Sequence, residues 1–208
     1  MKIPNSKFPR PYGQGQILNK GFTLIEILVA AALFSTIVAT VSSLFVWGVK
    51  IQRRSLAKQE LLDQTSYLME YMSRALRMAK KDLSGNCIAI RTNYANAPGN
   101  NYSLRFLKEE SGADICQEFY LASGVNRLME RKSSDNSAGN LGAAAPLTSA
   151  NLRVNYFLIG SGGAYTRGWS QTDNVQPRVV FFLDISGREN ANIKIQTTVS
   201  QRDLDVQY

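Results

Sequence analysis

From Ile27 to Val49 the chain carries no charged residue. As a helix, a run of that length spans the roughly 30 Å apolar core of a bilayer. Lys50, Arg53 and Arg54 close it, and Glu26 stands at its start. Three readings compete. A secretory signal peptide has an apolar core of about 7–15 residues with a small-residue cut site after it. Here the run is longer, and a cut near Ala30–Ala32 would fall inside it. A plain membrane anchor fits the length but leaves Glu26 unexplained, because a carboxylate near the start of a membrane helix is costly and usually marks function. The third reading is a precursor cut before the apolar run, so that Gly21 ends a leader and Phe22 begins the mature chain.

The residues around that junction decide among them. Lys20-Gly21-Phe22-Thr23-Leu24-Ile25-Glu26 combines a basic leader, a Gly before an aromatic, a Glu four residues later and an apolar helix. This combination resembles the cleavage and methylation signature of type IV pilins and type II secretion pseudopilins, over residues 18–50. The resemblance implies cleavage after Gly21 by a membrane aspartic peptidase, the prepilin peptidase, which then N-methylates Phe22. It also implies that Glu26 of one subunit meets the N-terminal amine of a neighbour. The partners it implies are other pilin or pseudopilin subunits, an inner-membrane assembly platform and membrane lipid. The chain would wait in the bacterial inner membrane as a single-pass protein, N-terminus cytoplasmic and head periplasmic, until a cytoplasmic motor draws it into a filament. Physical chemistry supports these roles. Gly21 has no side chain, so a peptidase cleft can approach the bond closely. An unpaired charge in lipid is expensive and a paired one is tolerated, so one buried pair can set register among helices that otherwise pack by shape. The charge count does not fix orientation: four basic residues precede the run and four (Lys50, Arg53, Arg54, Lys58) follow it closely.

Beyond the run the helical period continues. No Pro lies between Pro11 and Pro98, and Gly48 is the only Gly between Phe22 and Leu83. Leu61, Thr65, Leu68, Met72, Ala75 and Ala79 follow alternating four- and three-residue spacing, with Leu62, Met69, Leu76 and Leu83 beside them. That is one apolar face of a helix, expected to end at Ser84-Gly85-Asn86. The spacing suits packing against the chain's own head; a coiled-coil dimer helix is the alternative.

Residues 87–208 change character. Tyr102, Leu104 and Phe106 alternate with polar residues, as do Ile115, Gln117, Phe119 and Leu121. Leu152, Val154, Tyr156 and Leu158 share one face; Val179, Phe181, Leu183 and Ile185 another; Ile193, Ile195, Thr197 and Val199 a third. These read as half-buried antiparallel strands, the last two joined through the polar turn Ser186–Asn192 into a hairpin. The expected fold is α+β: a long N-terminal helix on an antiparallel sheet, each burying the other's apolar face. The expected division is leader 1–21, filament-core helix 22–49, amphipathic helix 50–84 and β-rich head 85–208. Ser133–Asn151 and Gly160–Pro177, the latter with Tyr165 and Trp169, read as loops long enough for surface roles. The head resembles the larger minor pilins and pseudopilins, the J- and W-type classes, and Ile195–Arg202 resembles the closing strand of many of them. Major pilins often carry a helix-bending Pro where this chain has Ser43, which points to a minor subunit.

Composition removes other functions. There is no His among the 208 residues, so the commonest general base and metal ligand is missing and the usual catalytic triads cannot form. The chain is not expected to be an enzyme, nor to use a cofactor. The net charge of +8 is half leader: Lys2, Lys7, Arg10 and Lys20 have no acid beside them, and without them it falls to +4. Nucleic acid is therefore not an expected partner; the basic run Arg127–Lys132 reads as a solvated face, and a filament-tip adhesin or DNA-uptake receptor is the alternative function. No GxxxxGK[ST] loop is present. Asp203 and Asp205 are a weak calcium pattern, with solvation the simpler account, so no metal is expected. Cys87 and Cys116 are too far apart for a CxxC motif, and two cysteines without His cannot complete a structural zinc site. In an oxidising compartment they would pair, and closing that loop is worth roughly 3–4 kcal/mol; otherwise they are two buried thiols.

Overall fold

The computed structural model describes residues 21–98, 100–160 and 176–202. The leader with Lys2, Lys7, Arg10 and Lys20, the loop aromatics Tyr165 and Trp169, and Asp203 and Asp205 lie outside the described residues. The architecture is α+β: one helix, α1 (Leu24–Arg77), followed by β-strands. The chain divides after Gly48 into two compact units.

In the first unit every described residue of α1 is exposed. The helix is long and apolar enough to cross a membrane. Four of its hydroxyls are satisfied locally: Ser35, Thr36, Thr40 and Ser43 each donate at 2.7–2.8 Å to a carbonyl three or four residues earlier. In lipid, where water cannot serve as partner, such internal satisfaction is required of every polar group.

In the second unit α1 buries Ala57, Leu61, Thr65, Leu68, Met72, Ala75 and Leu76. Leu61, Leu68, Met72, Ala75 and Leu76 enter one core with Phe106 and Phe119 from one sheet and Phe157, Phe181, Leu183 and Ile185 from another. The first sheet has the order β1 (Ala79–Lys80), β3 (Asn100–Glu110), β4 (Ala113–Ala122), β5 (Arg127–Lys132), β6 (Ala145–Pro146), with β2 (Ala95–Ala97) also on β3. The second has the order β7 (Arg153–Ile159), β8 (Arg178–Ser186), β9 (Asn192–Ser200). All pairings are antiparallel. β3 and β4 form a two-residue hairpin in which Ser111 (φ 56°) and Gly112 (φ 82°) are both left-handed, the turn whose twist matches paired strands. β8 and β9 form the expected hairpin, in register from Arg178↔Ser200 to Ser186↔Asn192. Pro146 sits at the sheet edge, where a missing N–H does no harm.

The structure corrects four expectations. The helix stops at Arg77, not Leu83. Ala79 and Lys80 instead pair with Lys108 and Leu107 of β3, while the Tyr94 hydroxyl and the Arg202 N–H bond the helix's last carbonyls at Leu76 and Arg77. Leu83, beyond the helix, is accordingly 68 % exposed, and Leu62, within it, faces away from the core and is 49 % exposed. On β7 the register shifts between Val154 and Tyr156. The extra residue, Asn155, is a bulge that turns Tyr156 outward and brings Phe157 and Ile159 into the core. Tyr102 is exposed while Ser103 is buried. Arg127–Lys132 is strand β5 with Leu128 fully buried, not a solvated run.

One polar tie joins helix to sheet. The Tyr71 hydroxyl donates to Glu130 Oε1 at 2.6 Å, and Gln117 donates to the same oxygen. Burial, then the neighbouring Glu130 carboxylate, raises the Tyr71 pKa well above that of free phenol. Tyr71→Phe removes one donor and leaves Gln117 in place. It is expected to lower unfolding free energy by about 1–2 kcal/mol, as read by urea unfolding of the chain in mild detergent.

Candidate processing and assembly site

The start of α1 is built by its own sequence. Gly21, Phe22 and Thr23 are exposed and precede the first helical turn. Among the described residues, a Cβ added at Gly21 would meet no atom within 4 Å. Thr23 caps the helix. Its Oγ1 accepts from the Glu26 N–H at 3.3 Å, and its carbonyl accepts from the N–H groups of Glu26 and Ile27 at 3.1 and 3.2 Å. This satisfies donors that a helix start otherwise leaves free.

Glu26 is the third helical residue and the acid of the first turn. Thr23-Leu24-Ile25-Glu26 is thus a Thr-x-x-Glu capping sequence, a signal readable from the residues alone that adds a local role to Glu26. A carboxylate here also complements the positive end of the helix dipole. Cleavage after Gly21 would place an ammonium on Phe22 at that same positive end, where it is disfavoured. A carboxylate one turn away offsets that repulsion, and in lipid the compensation is stronger than in water. Gly21, Phe22 and Glu26 are therefore brought together at one helix start.

Residues 18–42 match the family model described as the prokaryotic N-terminal methylation motif. This motif is the signature of type IV pilins and pseudopilins. The match covers 25 of the 208 residues, and the helix that follows is long and apolar enough to cross a membrane. The pilin-like motif implies processing by prepilin peptidase and assembly with other pilin subunits. Neither the curated proteins nor the solved structures yield a match to the chain.

The other pair of named residues lies in the head unit. Cys87 and Cys116 are joined by a disulfide, Cα atoms 5.4 Å apart, in a small apolar cluster with Ile88 and Leu107. The segment that delivers Cys87 is organised by Asp82, which is fully buried. Asp82 Oδ1 accepts from the Ser84 N–H, the Ser84 hydroxyl and the Gly85 N–H at 2.8–2.9 Å. Asp82 Oδ2 accepts from the Cys87 and Ile88 N–H groups at 2.9 and 3.0 Å. Sequence pattern alone did not single out Asp82; an Asp shortly before Ser-Gly-Asn was its only signal.

The basic run Arg127–Lys132 is engaged within the head: Arg127 donates to the Thr148 carbonyl, and Arg131 lies 4.6 Å from the centre of the Tyr120 ring. Among the described residues no group of three or more His, Cys, Asp or Glu side chains could hold a metal ion.

Proposed function

We propose that this chain is a minor pilin or pseudopilin: a structural subunit made as a precursor, cleaved after Gly21, N-methylated on Phe22 and assembled into a type IV pilus or type II secretion-like filament. The observation that carries the reading is the methylation motif at residues 18–42, with Gly21, Phe22 and Thr23 exposed at the start of α1. The minor position is supported by an α1 that runs from Leu24 to Arg77 without proline. A head that holds Cys87 and Cys116 as a disulfide suits an oxidising compartment, which supports a periplasmic head and a cytoplasmic N-terminus.

The deciding measurement is intact mass and N-terminal sequence of the membrane-extracted chain, produced with and without a prepilin peptidase. The expected product begins at N-methyl-Phe22, and only when the peptidase is present. A chain still beginning at Met1, or cut beyond the apolar run, would refute the proposal. Glu26→Val tests assembly separately. It should leave cleavage largely intact and deplete the subunit from sheared filaments, because an N-terminal amine in lipid then lacks its counter-charge. Equal recovery of variant and wild type in filaments would count against that role.

A further inference from the structure

Five cations stand where the head unit begins, and among the described residues none of them has an ion-pair partner. Lys50, Arg53, Arg54 and Lys58 follow the uncharged run and are exposed. Arg188 reaches the same place from the β8–β9 turn: Arg53 and Arg188 line one groove with Leu56, Ala57, Glu60 and Glu189. Among the described residues none of the five cations makes an ion pair, although two carboxylates line the same groove. Some other cations of the head do pair: Arg74 with Glu70, Lys80 with Glu109 and Asp114, and Lys108 and Lys132 with Glu110.

Arg188 is held in place. Its turn is closed by the Gly187 N–H on the Ala191 carbonyl at 2.8 Å and the Ala191 N–H on the Arg188 carbonyl at 2.9 Å. A Cβ at Gly187 would stand 3.4 Å from Leu152 and 3.6 Å from Leu61 of α1, so the turn is seated close on the helix. Glu189 and Asn190 keep left-handed backbones, φ 52° and 58°, a conformation that persists only where its surroundings enforce it.

Arg53 lies four residues past Val49, about 6 Å of helical rise. The headgroup layer on each side of a bilayer core is about 5–8 Å thick, so a long arginine side chain at that height reaches it. Trp47, just before the first cation, is the residue type that settles at such an interface. We propose that this groove binds anionic phospholipid, with the lipid phosphate held between Arg53 and Arg188. Lys50, Arg54 and Lys58 add long-range attraction. The inference rests on reading Ile27–Val49 as a membrane span, and it accounts for the four cations after the run that make the charge count uninformative about orientation.

The test is native mass spectrometry of the full chain released from mild detergent containing equal phosphatidylglycerol and phosphatidylethanolamine. Wild type should retain phosphatidylglycerol preferentially. Arg53→Gln and Arg188→Gln should each cut that preference about fivefold, the effect of one cation at an anionic surface. Arg188→Lys should keep most of it, and Arg153→Gln, an exposed cation on β7, should leave it unchanged. Equal retention of the two lipids by wild type would overturn the proposal. So would a preference that survives both groove substitutions. The precursor serves as well as the mature chain, so a failure here is distinct from a failure of cleavage after Gly21.

Discussion

Asp82→Ala is expected to lower unfolding free energy by about 3–5 kcal/mol, because charge-assisted hydrogen bonds are the strong ones and their orphaned donors are costly. Five donors from Ser84, Gly85, Cys87 and Ile88 converge on this one buried carboxylate. The same residue fastens its segment at both backbone atoms, its N–H on the Thr92 carbonyl and its carbonyl on the Arg91 N–H. Losing the carboxylate therefore releases the whole connection between β1 and β2, not one contact.

The acid also gives the prediction a pH signature. Burial by itself would raise the Asp82 pKa, but the bonds from Ile88, Ser84, Cys87 and Gly85 outweigh it and hold the pKa below the ordinary carboxylate value. A group depressed on folding stabilises fully above its unfolded pKa, about 3.9 for Asp. That contribution is lost as pH falls through the folded pKa. Glu110, whose pKa is lowered chiefly by Lys108, and Asp184, where bonds from Asn155, Asn192 and Lys194 overcome burial, act in the same direction. Wild type alone would therefore lose stability in acid for several reasons. The difference between wild type and Asp82→Asn isolates the one residue: it should be constant from neutral pH down to about 5 and shrink below about 4. A difference independent of pH down to 2 would mean that folding leaves the Asp82 pKa where it stands in the unfolded chain.

What the residues disclose and what they conceal divides along the range of the interactions. The uncharged run, the Gly21–Phe22 junction and the stripe Leu61–Thr65–Leu68–Met72–Ala75 are local patterns, and the stripe is buried as its spacing implies. The β8–β9 hairpin is likewise written in adjacent residues, with Val179, Phe181, Leu183 and Ile185 all fully buried. The end of α1 is not local. Met78–Leu83 would propagate a helix, and what stops it is β3, whose Lys108 and Leu107 pair with Ala79 and Lys80 across 29 and 27 residues of sequence. The bulge at Asn155 is equally hidden, since its justification is a cluster in which Asn155 donates to Asp184 at 2.9 Å and Asn192 to the same oxygen at 2.7 Å. At the processing site the reverse holds: Thr23-x-x-Glu26 is legible as a cap, yet the prominence of an acid in an apolar run directs attention to a distant partner first.

The Cys87→Ser, Cys116→Ser double variant is expected to lose roughly 3–4 kcal/mol, the entropy of closing a loop whose ends are 29 residues apart. Asp82 and the disulfide act on the same segment, so the two substitutions form an informative cycle. A crosslink that acts by restricting the unfolded chain contributes the same amount whether or not Asp82 is present, and the losses should then add to within about 0.5 kcal/mol. A crosslink that acts by holding the folded segment against β4 would contribute more once the carboxylate is gone, because it becomes the remaining tether. The folded geometry favours the additive result. Cys116 already lies in β4, with its N–H bonded to Ser133 Oγ and its neighbours paired to β3, and Cys87 is already placed by its own N–H on Asp82. The sulfurs thus meet in positions fixed by other bonds. Urea unfolding of the four chains in mild detergent, oxidised throughout, decides between the two, and a coupling energy above about 1 kcal/mol would assign the disulfide to the folded state.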